Sequence, residues 1–312
     1  MIQLVQKSFR LTFDNRRLLL FMYATNLIFG GIIAVVFYRI FLQEANGSIV
    51  LDKLVPDFDY MVFSDFWRIH GSAFTPVFLT AFALGGLYFL VNTFFAGGVF
   101  YQFNSGSSAF RFKPFLRASL KTFGKYLLLS LIMSLLGIFV FAFSGVMIFM
   151  FVKIAEGGSE REYILWMIPP AVFLIFLLSV LAVIRNYARY ILFDNEGVSF
   201  VSAFQKGISY VFRNFRTVGF YWLITSISVL VGLLYLLLDA VIGMRGEFTI
   251  ALMIIIQQIV VLGRVFLKNW NFAFVSEFYQ KYPIIFPQPV VEILTKEELA
   301  DNSEENKPSD EA

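Results

Sequence analysis

Four polar side chains in the last apolar stretch of this sequence, Gln257, Arg264, Lys268 and Asn271, recur at spacings of seven, four and three residues. On an α-helix those steps set them along one face, with Gln258 and Asn269 beside it. Amides and cations inside a long apolar helix face protein or water rather than lipid. The row therefore reads either as a seam between helices or as the lining of a polar path. At about 1.5 Å per residue from Phe248, Gln257 lies about 14 Å along the helix, near a bilayer's midplane. Arg264 lies about 24 Å along, close enough to the interface for its side chain to reach the headgroups. An amide at the depth of Gln257 ordinarily bonds a neighbouring helix, and the same use is expected of Asn26 and Asn92.

A second constellation closes the fourth apolar stretch. Arg185, Asn186 and Arg189 there resemble Lys268, Asn269 and Trp270 at the end of the sixth. Together with Lys206 and Arg213 downstream they make a candidate headgroup site at the inner leaflet, because arginine offers phosphate oxygens a planar fork of donors. The plainer reading is charge that only sets topology.

Chemistry beyond binding has no recognisable carrier. The sequence contains no HExxH pair, no Walker loop, no Gly-x-Ser-x-Gly elbow and no pair of intramembrane carboxylates, so no enzymatic activity is expected. His70 is the single histidine and has no ligand-spaced neighbour in sequence, so neither a metal site nor a cofactor is expected. Without cysteine there is no disulfide, thiolate site or thiol nucleophile. Acids lie almost wholly in loops and tail, which removes the intramembrane carboxylate that proton-coupled transport ordinarily uses.

The elements that must position these residues follow from composition. Of 312 residues, 58% are hydrophobic and 15% charged, and mean hydropathy is +0.73. A soluble domain carries about 25% charged residues, so the solvent of this chain is lipid. Six stretches reach the roughly 20 apolar residues that span a bilayer: 18–38, 74–99, 126–151, 164–184, 217–238 and 248–267. Because the backbone must satisfy its own hydrogen bonds in lipid, and none of these stretches alternates as a barrel strand would, the fold class is all-α, a polytopic bundle of six transmembrane helices. At the N-terminus, basic residues precede an apolar run too long for a signal peptide and without a small-residue cleavage site, so a retained first span is expected.

Segments 1–17, 100–125, 185–216 and 264–281 hold 17 Lys/Arg and four acids, whereas the three intervening loops hold six Lys/Arg and ten acids. The positive-inside rule then puts both termini in the cytoplasm. Phe13, Phe123 and Phe212 each close a basic block whose cation lies six residues upstream, at Lys7, Arg117 and Lys206, and each block runs into an apolar span. The pattern predicts three repeats of a basic interfacial helix plus a transmembrane hairpin.

Between the first two spans, Tyr60, Phe63, Phe66 and Trp67 predict a short helix in the outer interface. Asn46-Gly47-Ser48 matches a glycosylation acceptor, meaningful only in a secretory context. The glycine pairs 30–31, 85–86 and 97–98 are expected to let helices pack closely, and Pro169-Pro170 to kink the fourth span or delay its start. Residues 286–312, acidic and without aromatics past Phe286, read as a disordered cytosolic tail through which a protein partner would bind. No nucleic-acid partner is expected, since the basic excess sits in loops beside anionic lipid.

The run Tyr190-Ile191-Leu192-Phe193-Asp194-Asn195-Glu196-Gly197, then Ala203-Phe204-Gln205-Lys206-Gly207 and Asn214, resembles the junction in poorly characterised six-span prokaryotic membrane proteins. Among these is the membrane domain attached to some glycerophosphodiester phosphodiesterases. The resemblance implies a prokaryotic inner-membrane module and carries over no catalytic residue, because that family's hydrolase is a separate soluble barrel. The expectation is a non-enzymatic scaffold or module interacting with anionic membrane lipids. Its alternative is a transporter or permease for a small or lipid-like solute.

Overall fold

The computed structural model describes residues 1–45, 60–106, 109–154, 156–195, 197–243 and 246–284, and every regular element among them is helical. In chain order these are α1 (Ile2–Asp14), α2 (Arg16–Ala45), α3 (Tyr60–His70), α4 (Thr75–Asn104), α5 (Phe112–Ile154), α6 (Glu160–Asp194), α7 (Phe200–Arg213), α8 (Arg216–Ile242) and α9 (Glu247–Lys281). Six of them, α2, α4, α5, α6, α8 and α9, are long and apolar enough to cross a membrane. The chain is a multi-pass membrane protein of all-α architecture. The bundle comprises Met1–Lys281. Beyond it the described residues, 282–284, carry no regular structure. The acceptor at Asn46 and the acidic tail from 286 lie outside the described residues.

The helices outrun the predicted spans because helical hydrogen bonding does not stop where the apolar composition does. At 43 residues α5 is about 65 Å long, twice the thickness of a hydrocarbon core. Its first turns, residues 112–125, therefore project past the apolar stretch as a continuation of the same helix. Here the expectation of a separate junction helix fails. It holds at α1, which ends at Asn15, and at α7, which starts where the Ser199 side chain accepts from the Ser202 N–H at 3.3 Å. The difference lies in the turn residues: Asn15 and Asn214 close those two helices, and residues 112–125 contain no equivalent break.

Pro169-Pro170 does not delay α6 either. Ser159 and Glu162 form a capping box, so the helix opens at Glu160 and runs through both prolines. The predicted outer helix is present as α3, where Phe66 packs with Phe74 and Val77 against Ile40 and Phe41 of α2. His70 ends α3 with Nδ1 2.7 Å from the Glu44 carboxylate, tying it to the end of α2.

Consecutive helices α4, α5 and α6 pack side by side, α1 lies along α9, and α7 lies along α6. Most of the buried residues gather at one end, where α4, α6 and α9 finish and α5 and α8 begin. There Gly97 and Gly98 meet α5 so closely that an added Cβ would fall 2.0 Å from Thr122 Oγ1 and 2.5 Å from the Phe115 ring. The Gly98 N–H donates to Ser119 Oγ at 3.1 Å. The small-residue expectation holds at this pair. It fails at 30–31 and 85–86, where an added Cβ would meet nothing within 4 Å.

Candidate functional site

The packed end is cross-linked by polar groups that the apolar pattern could not announce. The Asn104 side-chain oxygen Oδ1 accepts from Tyr190 Oη at 2.9 Å, from Ser276 Oγ at 3.2 Å and from Gln280 Nε2, joining α4, α6 and α9 at one atom. Gln102 donates to Asn15 at 2.9 Å, Trp270 Nε1 to Ser8 at 3.0 Å, and Lys7 pairs with the nearly buried Glu277 at 2.6 Å. These bonds hold the ends of α6 and α9 in place, and the cations of interest lie on those ends.

Arg189 is buried, with 7% of its surface exposed. A guanidinium nitrogen donates to Ser130 Oγ at 2.6 Å, and the guanidinium lies 5.9 Å from the Tyr126 ring centre. The Tyr126 hydroxyl donates to the Arg189 carbonyl at 2.7 Å, so one tyrosine holds both ends of the residue. The Nε atoms of Arg189 and of Arg185, one turn earlier, are buried with no partner. Lys268 on α9 donates to Asn92 Oδ1 on α4. Beside it the Tyr88 hydroxyl donates to Asn26 of α2 at 2.6 Å. Both expected interhelical asparagines are therefore used, one by a cation and one by a phenol.

Arg185, Arg189 and Lys268 stand close enough to repel one another, and none forms an ion pair among the described residues. Of the three, Arg189 is buried, Arg185 half-buried and Lys268 exposed, and burying the Arg189 cation without a counter-charge costs several kcal/mol. The Oδ1 of Asn269, buried beside them, also lacks a partner.

Lys268 lines two adjoining spaces between α2, α4 and α9. The inner one, about 20 Å³, admits one water-sized group beside Asn92 and Asn269. The outer one, about 420 Å³, runs from Lys268 and Arg264 along Phe29, Ile33 and Leu84, with Gly30 and Gly85 in its walls. Those two glycines widen a gap instead of closing one. On the far side of α9, Arg264 and Gln257 line a cleft of about 430 Å³ against Ser228 and Tyr235 of α8.

Of the predicted site residues, then, Arg185, Arg189 and Lys268 come together. Gln257 and Arg264 share the α8 side of the same helix. Lys206 and Arg213 sit apart on α7, half-buried and exposed, and line neither cleft. Asn271 is half-buried and lines neither. The amide that joins helices in this region is not Gln257 but its neighbour Gln258, whose Oε1 accepts from Tyr23 of α2 at 2.8 Å. The turn of one residue, 100°, decides which of the two faces α2. Tyr126, Ser130, Tyr88 and Asn104 were not singled out from the sequence, and no local signal marks them, since serine, tyrosine and asparagine are ordinary residues of membrane helices.

Compared with protein-family models, with curated proteins and with solved structures, the chain finds no match.

Proposed function

We propose that this is a non-enzymatic membrane protein of the bacterial inner-membrane type that holds an anionic lipid in the cleft between α2, α4 and α9. The headgroup sits at Lys268 in the field of Arg185 and Arg189, and the acyl chain lies along Phe29, Ile33 and Leu84. One observation carries the reading: a channel, apolar along Phe29, Ile33 and Leu84, whose lining among the described residues holds two cations, Lys268 and Arg264, and no acid. A bound anion offsets the mutual repulsion and the desolvation together, and an amphiphile alone satisfies both ends of the space. The lysine and arginine content of the packed end supports a cytoplasmic position for that end and for both termini. Reporter fusions at positions 110 and 157 are expected to fall in opposite compartments.

The lipid is tested on the purified full chain by native mass spectrometry after reconstitution with phosphatidylglycerol. Lys268→Gln is expected to lower retained lipid about tenfold, while Arg213→Gln leaves it unchanged. Equal retention by the Lys268 variant and the parent would end the proposal. Because Lys268 is exposed, Lys268→Gln is also expected to melt close to the parent in zwitterionic detergent.

Passage of a small solute is the second reading. It is favoured by Arg264, which borders the clefts on both sides of α9, and by Gln257, which is exposed with no hydrogen bond among the described residues. The chain has no cysteine, so Gln257→Cys gives a single thiol. Rapid reaction with a charged thiol reagent in bilayers supports a water-filled path; protection supports a sealed bundle filled by lipid.

A further inference from the structure

The cleft on the α8 side of α9 carries polar groups at two levels. The helices run antiparallel, and their register is fixed at the packed end, where Phe220 of α8 meets Trp270 and Phe274 of α9. Counting outward from there sets Ser228 level with Arg264, and Tyr235 level with Gln257. Seven residues, about 10 Å, separate the two levels on each helix. The register agrees with Gly232, which lies between them on α8: an added Cβ there would stand 3.9 Å from a terminal nitrogen of the Arg264 guanidinium.

The side chains of Ser228, Tyr235, Gln257 and Arg264 form no hydrogen bond or ion pair among the described residues. Thr225, about one turn earlier on α8, turns its hydroxyl back to the Tyr221 carbonyl at 2.9 Å, and Ser228 does not. Polar groups left without partners at membrane depth are destabilising, and all four line one space of about 430 Å³, a size that suits a single small ligand.

The lining sets the chemistry of that ligand. It holds one cation and no acid among the described residues, which matches a single negative charge. The planar guanidinium fork fits the two oxygens of a carboxylate, with the Ser228 hydroxyl as a further donor. Val229, Leu233, Val260 and Val261 give the space between the levels an apolar wall. The phenol of Tyr235 and the amide of Gln257 suit a neutral group that both donates and accepts, which a hydroxyl does.

We infer that the cleft between α8 and α9 binds a hydroxylated fatty acid, its carboxylate at Arg264 and Ser228 and its mid-chain hydroxyl at Tyr235 and Gln257. The site does not depend on the lipid held at Lys268. Its occupant fills the cleft, so it stands as the alternative to solute passage on this side of α9.

The experiment uses the full chain in phosphatidylcholine nanodiscs with a diazirine-bearing stearate, and mass spectrometry locates the photolabel. The label is expected on α8 and α9 between the two polar levels. On the unaltered chain, 10-hydroxystearate is expected to displace it at about tenfold lower concentration than stearate, and octadecanol, which lacks the charge, to leave it in place. Tyr235→Phe/Gln257→Leu is expected to remove the preference for the hydroxylated chain while stearate competes as before. Arg264→Gln is expected to weaken both acids about tenfold or more, and Lys268→Gln to be labelled as the parent is. Label found only outside the cleft overturns the inference. Equal displacement by stearate and 10-hydroxystearate, or by octadecanol and stearate, on the unaltered chain overturns it whatever the variants do. So does an undiminished preference for the hydroxylated chain in the folded double variant.

Discussion

Helix α5 is two different objects along its length. In its first half Phe115 and Tyr126 are fully buried, whereas in its second half Phe139 and Phe141 are 69% and 66% exposed. The bundle as a whole divides in the same way. The end that carries the basic residues is interlocked by aromatic rings and hydrogen bonds, with Phe220 stacked on Phe274 at 3.6 Å and Tyr187 tilted against Tyr210 at 4.9 Å between ring centres. The other end offers smooth apolar helices to lipid. In hydrocarbon, an apolar side chain gains little by exchanging a lipid contact for a protein contact, so tight packing there is not driven by burial. At the headgroup layer water returns, the hydrophobic effect acts, and backbone ends need partners. The difference teaches that this protein's specificity lies at one end, and the charged part of each candidate site lies beside that end.

The comparison can be broken most forcefully through the glycines. Gly98→Leu drives a side chain into Phe115 and is expected to prevent recovery of folded protein in fluorescence-detected size exclusion. Gly85→Leu meets open space and is expected to fold as the parent does, while filling the lipid cleft and lowering retained phosphatidylglycerol. If both variants fold equally well, the division between a packed and an open end is wrong.

Polar groups give the next largest effect. Asn104→Ala removes the acceptor for Tyr190, Ser276 and Gln280 and is expected to cost about 2 kcal/mol, read as a lowered melting temperature. Gln257→Ala removes no bond and is expected to change stability by less than about 0.5 kcal/mol. An effect smaller than that of Asn104→Ala is expected from Lys7→Ala. Lys7 is largely exposed, so its pair with Glu277 is worth about 1 kcal/mol or less, and the cost should shrink further as salt is raised. A salt-independent loss would show that Glu277, not the pair, carries the effect.

Much of the architecture was legible beforehand. Five of the six predicted spans lie inside one long helix, the second starts one residue before α4, and the aromatic cluster at Tyr60–Trp67 does form α3. The second junction was misjudged because a basic, aromatic block reads the same whether it precedes a turn or extends a helix; only a breaking residue distinguishes them. For the sites, spacing alone put Gln257, Arg264 and Lys268 on one face of α9, but not which neighbour that face meets. Ser228 and Tyr235 carry no mark in the sequence, because a cleft between two helices has no trace in either of them.

Apolar length and charge asymmetry are properties of the chain against its solvent, so they are fixed locally, and the sequence determined by itself that six helices form and cross a membrane. Which glycine closes a contact and which leaves a cleft, and which cations gather without a counter-charge, depend on the approach of helices distant in sequence. Gly97 and Gly85 are the same residue twelve positions apart, and only the presence of α5 beside one and empty space beside the other gives them opposite roles.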